Sequence, residues 1–164
     1  MAIRDVKQTD WEPIRDLIAA CYKPYGERIC LDGADNDLLD LLGAYARKGG
    51  AFAVWEIEDA ADTVGPIHGT HAVLPLRPEE HVCVFRRLYL DPALRGRGLG
   101  DELMQWAVDW AKDNGYKKVE FWSDTRFHRA HSFFRRFGFQ SNGETREMTD
   151  SFEPYQEYFF WLDL

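Results

Sequence analysis

Arg86-Arg87-Leu88-Tyr89-Leu90-Asp91-Pro92-Ala93-Leu94-Arg95-Gly96-Arg97-Gly98-Leu99-Gly100 is the stretch on which the reading of this chain turns. The β-formers from Val82 to Leu90 predict a strand. Glycines then let the backbone turn tightly and approach a ligand closely. From Gly98 to Asn114 the pattern becomes helical, with Leu99, Leu103, Trp106, Ala107, Trp110 and Ala111 on one face and Gly115 closing it. The first amides of such a helix lack intrahelical acceptors, and its dipole is positive there. Strand, glycine loop and helix start thus form an anion cradle suited to a pyrophosphate. Arg95 and Arg97 add charge-assisted contacts. A plain helix cap needs less than three glycines and two arginines in six residues. A P-loop would require Gly-x-x-x-x-Gly-Lys-Ser/Thr, which is absent, and the order Gly96-x-Gly98-x-Gly100 misses the third glycine position of a dinucleotide loop.

Working outward, Thr9-Asp10-Trp11-Glu12 reads as a capping box ahead of a helix bearing Ile14, Leu17, Ile18 and Cys21. A polar loop spans Tyr22 to Asp37. Leu38, Leu39, Leu41, Leu42 and Tyr45 predict a second helix, ended by Gly49-Gly50. Strands are predicted over Ala51–Ile57 and Ile67–Leu76, with a turn from Glu58 to Pro66. On the other side of the loop, Lys118–Trp122 predicts a strand, Phe127–Arg136 a short helix stopped by Gly138, and Tyr155–Leu164 an aromatic strand. The order implies an α/β (α+β) fold, a mixed sheet with helices on both faces. With 164 residues, no repeat and no linker, one domain spanning 1–164 is expected.

Composition narrows the function classes. The net charge of −8 argues against a nucleic-acid partner. Residues 1–80 hold 8 basic and 15 acidic side chains, whereas 81–164 hold 12 and 13, so an anionic ligand belongs in the second half. No apolar run is long enough for a membrane span, and the first residues lack a secretory pattern. Cys21, Cys30 and Cys83 are odd in number without Cys-x-x-Cys spacing. They read as reduced thiols of a cytoplasmic protein, with no metal framework.

Arg95-Gly96-Arg97-Gly98-Leu99-Gly100 resembles the Arg/Gln-x-x-Gly-x-Gly/Ala signature of the GNAT superfamily of N-acetyltransferases. Arg129-Ala130-His131-Ser132-Phe133-Phe134-Arg135-Arg136-Phe137-Gly138-Phe139 resembles that family's Ala-x-x-Phe-Tyr-x-x-Leu-Gly-Phe helix. The resemblance implies a mostly antiparallel sheet of six to seven strands with a splayed cleft, and acetyl-CoA as co-substrate. It further implies that Leu88, Tyr89 and Leu90 offer backbone groups to the pantetheine arm. By the same resemblance, Arg95, Gly96, Arg97, Gly98, Leu99 and Gly100 hold the pyrophosphate. Phe133, Phe134 and Arg136 would flank the thioester and nucleotide ends, although Phe133 also reads as core and Arg136 as a solvated helix face.

Transfer to an amine needs a base, because a lysine-like amine with a pKa of about 10.4 is protonated at neutral pH. The thioester oxygen needs a donor as charge develops on it. Two positions depart from the family: Phe134 replaces the usual tyrosine acid, and Val84 stands near the usual glutamate base. The candidates for catalysis are therefore Asp124, His71 and His131, with His128 nearby and Tyr89 and Tyr158 as hydroxyl donors. Asp124 in Ser123-Asp124-Thr125 equally predicts a turn cap, and a strand histidine such as His71 equally predicts a structural residue. By the same resemblance the acceptor, a small-molecule or peptide amine, is expected near Tyr22, Tyr25, Glu27, Asp32, Asp35 and Asp37, a loop that also reads as solvated; Arg146 and Asp150, before the last strand, would suit a carboxylate and an ammonium. A non-catalytic acyl-CoA-binding module is the alternative. The aromatic tail either completes the sheet or forms a homodimer contact.

Overall fold

The computed structural model describes residues 2–57 and 67–164. The turn expected over Glu58–Pro66 lies outside the described residues. In chain order the elements are β1 (Ala2–Asp5), α1 (Trp11–Tyr22), α2 (Leu41–Ala44), β2 (Ala51–Glu56), β3 (Ile67–Arg77), β4 (Val82–Leu90), α3 (Leu99–Asp113), β5 (Lys118–Asp124), α4 (His128–Phe137), β6 (Thr145–Met148) and β7 (Tyr155–Asp163). They build a seven-stranded sheet in the order β1-β2-β3-β4-β5-β7-β6. Every neighbouring pair is antiparallel except β4 and β5. The aromatic tail is β7, placed between β5 and β6.

Each face of the sheet has its own core. On one, α1 and α2 bury Ile14, Ile18, Leu41 and Tyr45 against Phe52, Val54 and Ala72. On the other, α3 and α4 bury Met104, Ala107 and Phe134 against Val73, Phe85, Phe121 and Phe160. Fully buried side chains such as Ile14 and Leu103 each contribute about 1.5–3 kcal/mol relative to exposure. No helix among the described residues is long and apolar enough to cross a membrane.

Two local expectations are corrected. The second helix is a single turn, α2, between 3-10 turns at Asn36–Leu39 and Ala46–Lys48. Asp40 leaves helical geometry (φ −143°) and takes the Gly43 N–H on its carboxylate, so the leucines cannot join into one helix. The box at Thr9 and Glu12 does not form. Instead Asp10 accepts from the Lys7 N–H (2.7 Å) and from Arg4, which pins α1 to β1. The short edge strands β1 and β6 carried no sequence expectation.

Candidate active site at the β4–β5 splay

β4 and β5 pair only from Val82/Lys118 to Val84/Glu120. Beyond that they diverge, because β4 departs from regular pairing with β3. Thr70 faces Tyr89 and Ala72 faces Arg86, so Arg87 and Leu88 together oppose His71. This is a β-bulge, which bends its strand and re-aims side chains. Strict alternation would drive the Arg87 guanidinium into the apolar face under α3. The bulge, with Arg87 at φ +60°, turns it to the α1 face instead. There it is 8% exposed and donates to Asp35 (2.7 Å), Asp37, Tyr22 Oη (3.5 Å) and the Ala34 carbonyl (3.0 Å). Burial opposes ionisation of Asp37, yet Arg87 outweighs it and holds that carboxyl below its usual range. Tyr22 Oη donates to Asp35 (2.9 Å) and Tyr89 Oη to Tyr22 (3.2 Å). Asp35 and Asp37 are thus partners of Arg87, which corrects the solvated reading for these two residues, whereas Asp32 in the same loop is exposed.

The Asp91 N–H donates to the His68 carbonyl (2.8 Å). Alternation along an antiparallel pair then points the backbone groups of Leu88 and Leu90 away from β3, into the gap. At the mouth of the gap lies the glycine loop. Gly96 (φ +79°) and Gly98 (φ +82°) adopt the left-handed conformation, and a Cβ built on either meets nothing within 4 Å. Among the described residues the amides of Gly96 to Asp101 have no protein acceptor; the first bonded one is Glu102, to the Gly98 carbonyl (3.2 Å). Gly100 lies 3.6 Å, as a built Cβ, from the Phe133 ring, and the Arg136 guanidinium sits 5.6 Å from the centre of that ring. Arg95, Gly96, Arg97, Gly98, Leu99, Gly100, Phe133 and Arg136 are therefore assembled at one end of α3.

A cleft of about 510 Å³ runs through the splay. Phe134, Met104 and His71 line it from the α3 side, and Leu88 and Tyr89 form its β4 edge. On the α1 side its floor is the bare face of β5, β7 and β6. Register pairs Trp122 with Phe159, Asp124 with Glu157, Glu157 with Arg146, and Met148 with Tyr155. All seven of these line the cleft. The opposite face of the same strands carries Phe121, Ser123 and Phe160 against α4. The cleft therefore has two halves, one opening toward the α3 loop and one toward the loop after α1.

The three catalytic candidates fall in different places. Asp124 lines the floor, but both its oxygens accept from Arg126 (2.6–3.3 Å) and Oδ1 also takes the Arg126 N–H (2.9 Å). His71 reaches the cleft from the α3 side, with its ring against Phe85 and Trp106 and its Nδ1–H donated to the Leu103 carbonyl (3.1 Å). Burial lowers its pKa to about 4, so it is neutral. His131 is not brought to the cleft. Its Nε2 meets Ser123 Oγ (3.1 Å), its ring packs on Tyr158 and Phe160, and burial with Arg135 and His128 lowers its pKa to about 4. It locks α4 onto β5.

Glu157 also lines the cleft and carried no sequence expectation, because it sits in an aromatic strand and only pairing reveals its neighbours. Arg146 donates to Oε1 through Nε (2.9 Å) and Nη2 (2.7 Å), and stacks 4.6 Å from the Trp122 ring centre. Burial raises the Glu157 pKa against the pull of Arg146, and Asp150 and Asp124 raise it further.

Comparison with known proteins agrees with this architecture. The family model described as Acetyltransferase (GNAT) family matches residues 11–139. The uncharacterized N-acetyltransferase YjgM of Escherichia coli is 29% identical over 108 residues, covering 65% of this chain and 61% of that protein. N-acetyltransferase family 8 member 2 of Rattus norvegicus is 25% identical over 133 residues, covering 81% of this chain and 52% of that protein. The chain thus spans between about half and three-fifths of these relatives' length. A GNAT-family acetyltransferase from Staphylococcus aureus superposes with a TM-score of 0.78 at 17% identity, covering 99% of this chain and 98% of that one. The yncA protein of Salmonella typhimurium, solved with its cofactor acetyl-CoA, superposes at 0.72 and 17% identity, covering 99% and 93%. At such identities the likeness is one of fold, and the family follows from the sequence model: the chain belongs to the acetyltransferase (GNAT) family.

Proposed function

We propose that the protein transfers the acetyl group of acetyl-CoA to the primary amine of a small molecule or peptide by direct attack. The observation that carries this reading is the run of amides from Gly96 to Asp101 that have no partner among the described residues, beside Arg95 and Arg97, opening into a cleft that crosses the sheet. Free amides at a helix start suit a diphosphate, and the room beside Gly96 and Gly98 fits one. The gap-facing groups of Leu88 and Leu90 suit the amides of an extended pantetheine arm, and Phe133 and Arg136 the cofactor's flank. Bound acetyl-CoA supplies the thioester. The Leu88 N–H, turned into the gap beside the bulge, serves as donor to the thioester oxygen as charge grows there. The floor beyond supplies a carboxylate for the amine's proton. With Phe134 in place of a hydroxyl, the departing thiolate takes its proton from the amine rather than from a tyrosine.

The test is release of free CoA thiol from acetyl-CoA against a panel of polyamines, amino acids, amino sugars and peptide N-termini. Amine-dependent release is expected. Calorimetric binding of acetyl-CoA with no release from any amine would replace the enzyme with an acyl-CoA-binding module. The absence of binding heat would remove both readings.

A further inference from the structure

We propose that Glu157 is the general base of this acetyl transfer, taking the amine's proton on its Oε2. The inference rests on the acetyltransferase reading above and names a group that reading leaves open. Six acidic side chains line the cleft: Glu27, Asp35, Glu120, Asp124, Asp150 and Glu157. Geometry separates them. Asp35 is 2% exposed, with one oxygen bound to Arg87 and Tyr22 and the other to the Cys30 N–H (2.8 Å). Asp124 has both oxygens held by Arg126. Glu120 sits where the splay begins, beside Val84, but Arg77 (2.8 Å) and Lys118 (3.5 Å) converge on it and keep its pKa low. Glu27 has both oxygens bound, Oε1 by Ser151 Oγ and the Arg28 N–H and Oε2 by Arg126. Asp150 accepts from Tyr155 Oη (2.7 Å) and lies on the connection after β6, outside the strand register of the floor. Glu157 combines a place in that floor with a fixed position and a free oxygen, without the second cation that Glu120 carries. Arg146 anchors Oε1 by two bonds, and Oε2 has no polar partner among the described residues.

The location agrees. A cofactor entering from the α3 loop brings its thioester to the splay from the face that carries Phe134. The amine must approach from the other face, where Glu157 lies between Asp124 of β5 and Arg146 of β6. The charged groups facing it are Arg146 on β6, Asp150 after it, and Asp124 on β5 with Arg126 behind. Glu27 and Arg28 line the cleft from the loop after α1. Burial raises its pKa against the pull of Arg146, and Asp150 and Asp124 raise it further, which makes Glu157 a stronger base than an exposed carboxylate.

The step balances without another reagent. Glu157 Oε2 takes one proton from the ammonium, and the freed nitrogen lone pair bonds to the thioester carbon. The C–S bond breaks with its electron pair on sulfur. The nitrogen's second proton passes to the thiolate, giving the amide and CoA thiol, and Glu157 returns its proton to water.

The experiment compares wild type with Glu157→Gln, Glu157→Asp, Asp124→Asn and Glu120→Gln. The acceptor is the panel amine that wild type turns over fastest. Glu157→Gln should lower kcat about 100-fold or more, the range of one general base, with acetyl-CoA affinity by calorimetry unchanged. With an amine whose pKa lies below the pH range, the rise of kcat with pH that follows Glu157 should disappear in Glu157→Gln and persist in Glu157→Asp. Its penalty should shrink with an amine of pKa below the assay pH, which arrives neutral; a merely structural role would not produce this. Equal turnover by wild type and Glu157→Gln overturns the assignment and leaves the acetyltransferase standing, as does full loss in Glu120→Gln or Asp124→Asn with Glu157→Gln active. A penalty independent of amine pKa also overturns it. No release by wild type overturns both readings.

Discussion

Arg87→Met tests the device that shapes the cleft. Methionine keeps the length of the side chain and removes the charge. In the native fold the guanidinium, 8% exposed, neutralises Asp35 and Asp37 and satisfies the Ala34 carbonyl. Without it two buried carboxylates face each other unpaired, and breaking a buried pair costs about 3–5 kcal/mol. For a chain of this size that lowers the melting temperature by roughly 10 °C. Backbone geometry adds a second signature. Glycine in a strand is ordinarily about 0.5–1 kcal/mol worse than alanine, but at φ +60° alanine carries about 1–2 kcal/mol of left-handed strain that glycine escapes. Arg87→Gly should therefore be the more stable of the pair Arg87→Gly and Arg87→Ala. Asp35→Asn with Asp37→Asn, added to Arg87→Met, should recover part of the loss. Urea unfolding at pH 7 reads all of these. An Arg87→Met cost below about 1 kcal/mol would refute the claim that the guanidinium holds the two carboxylates in place.

Arg95→Ala and Arg97→Ala should each weaken acetyl-CoA binding roughly tenfold or more, since a hydrogen bond to a charged group contributes about 1.5–3 kcal/mol; unchanged calorimetric affinity would count against the phosphate loop. Buried His71, with its pKa lowered to about 4 from 6.5, keeps its full contribution above pH 6.5 and loses it as pH falls toward 4. The loss arises because the unfolded chain protonates first and is on the order of 3 kcal/mol, so His71→Phe should flatten the pH dependence of the urea midpoint, and parallel curves would refute it. Gly33→Ala would place its Cβ 1.9 Å from the Asp150 carbonyl oxygen. It should part the loop after α1 from the β6–β7 connection and raise KM for the amine about fivefold, roughly 1 kcal/mol, while acetyl-CoA affinity holds; an unchanged KM would separate that contact from acceptor binding.

The strands β2 to β5, the helices α1, α3 and α4, and the glycine loop were legible because each is written in a local pattern. Leu99, Leu103, Ala107 and Ala111 repeat at helical spacing and all are buried. Gly96 and Gly98 of the loop stand where positive φ is required. Where patterns were short, tertiary contacts decided. The leucines from Leu38 to Leu42 were read as one helix, but Asp40 caps a fresh turn between them. β1 and β6, at four residues each, are too short to show alternation, and partner strands define them.

The same distinction divides the site. The half proposed to hold the cofactor is nearly contiguous, from Leu88 to Gly100 with one added helix, so spacing alone could nominate it. Its acceptor half is assembled by register: Asp124, Arg146 and Glu157 come from three strands and meet only because β7 inserts between β5 and β6. Alternation in a lone strand identifies which residues share a face but not which neighbour that face acquires. A one-residue slip of β7 would send Glu157 toward α4, where His131 and Phe134 pack, and bring Tyr158 to the floor. The aromatic pairs Phe121–Phe160 and Trp122–Phe159 oppose such a slip. The tail's aromatic content, which hid Glu157 from sequence reading, is thus what fixes its position.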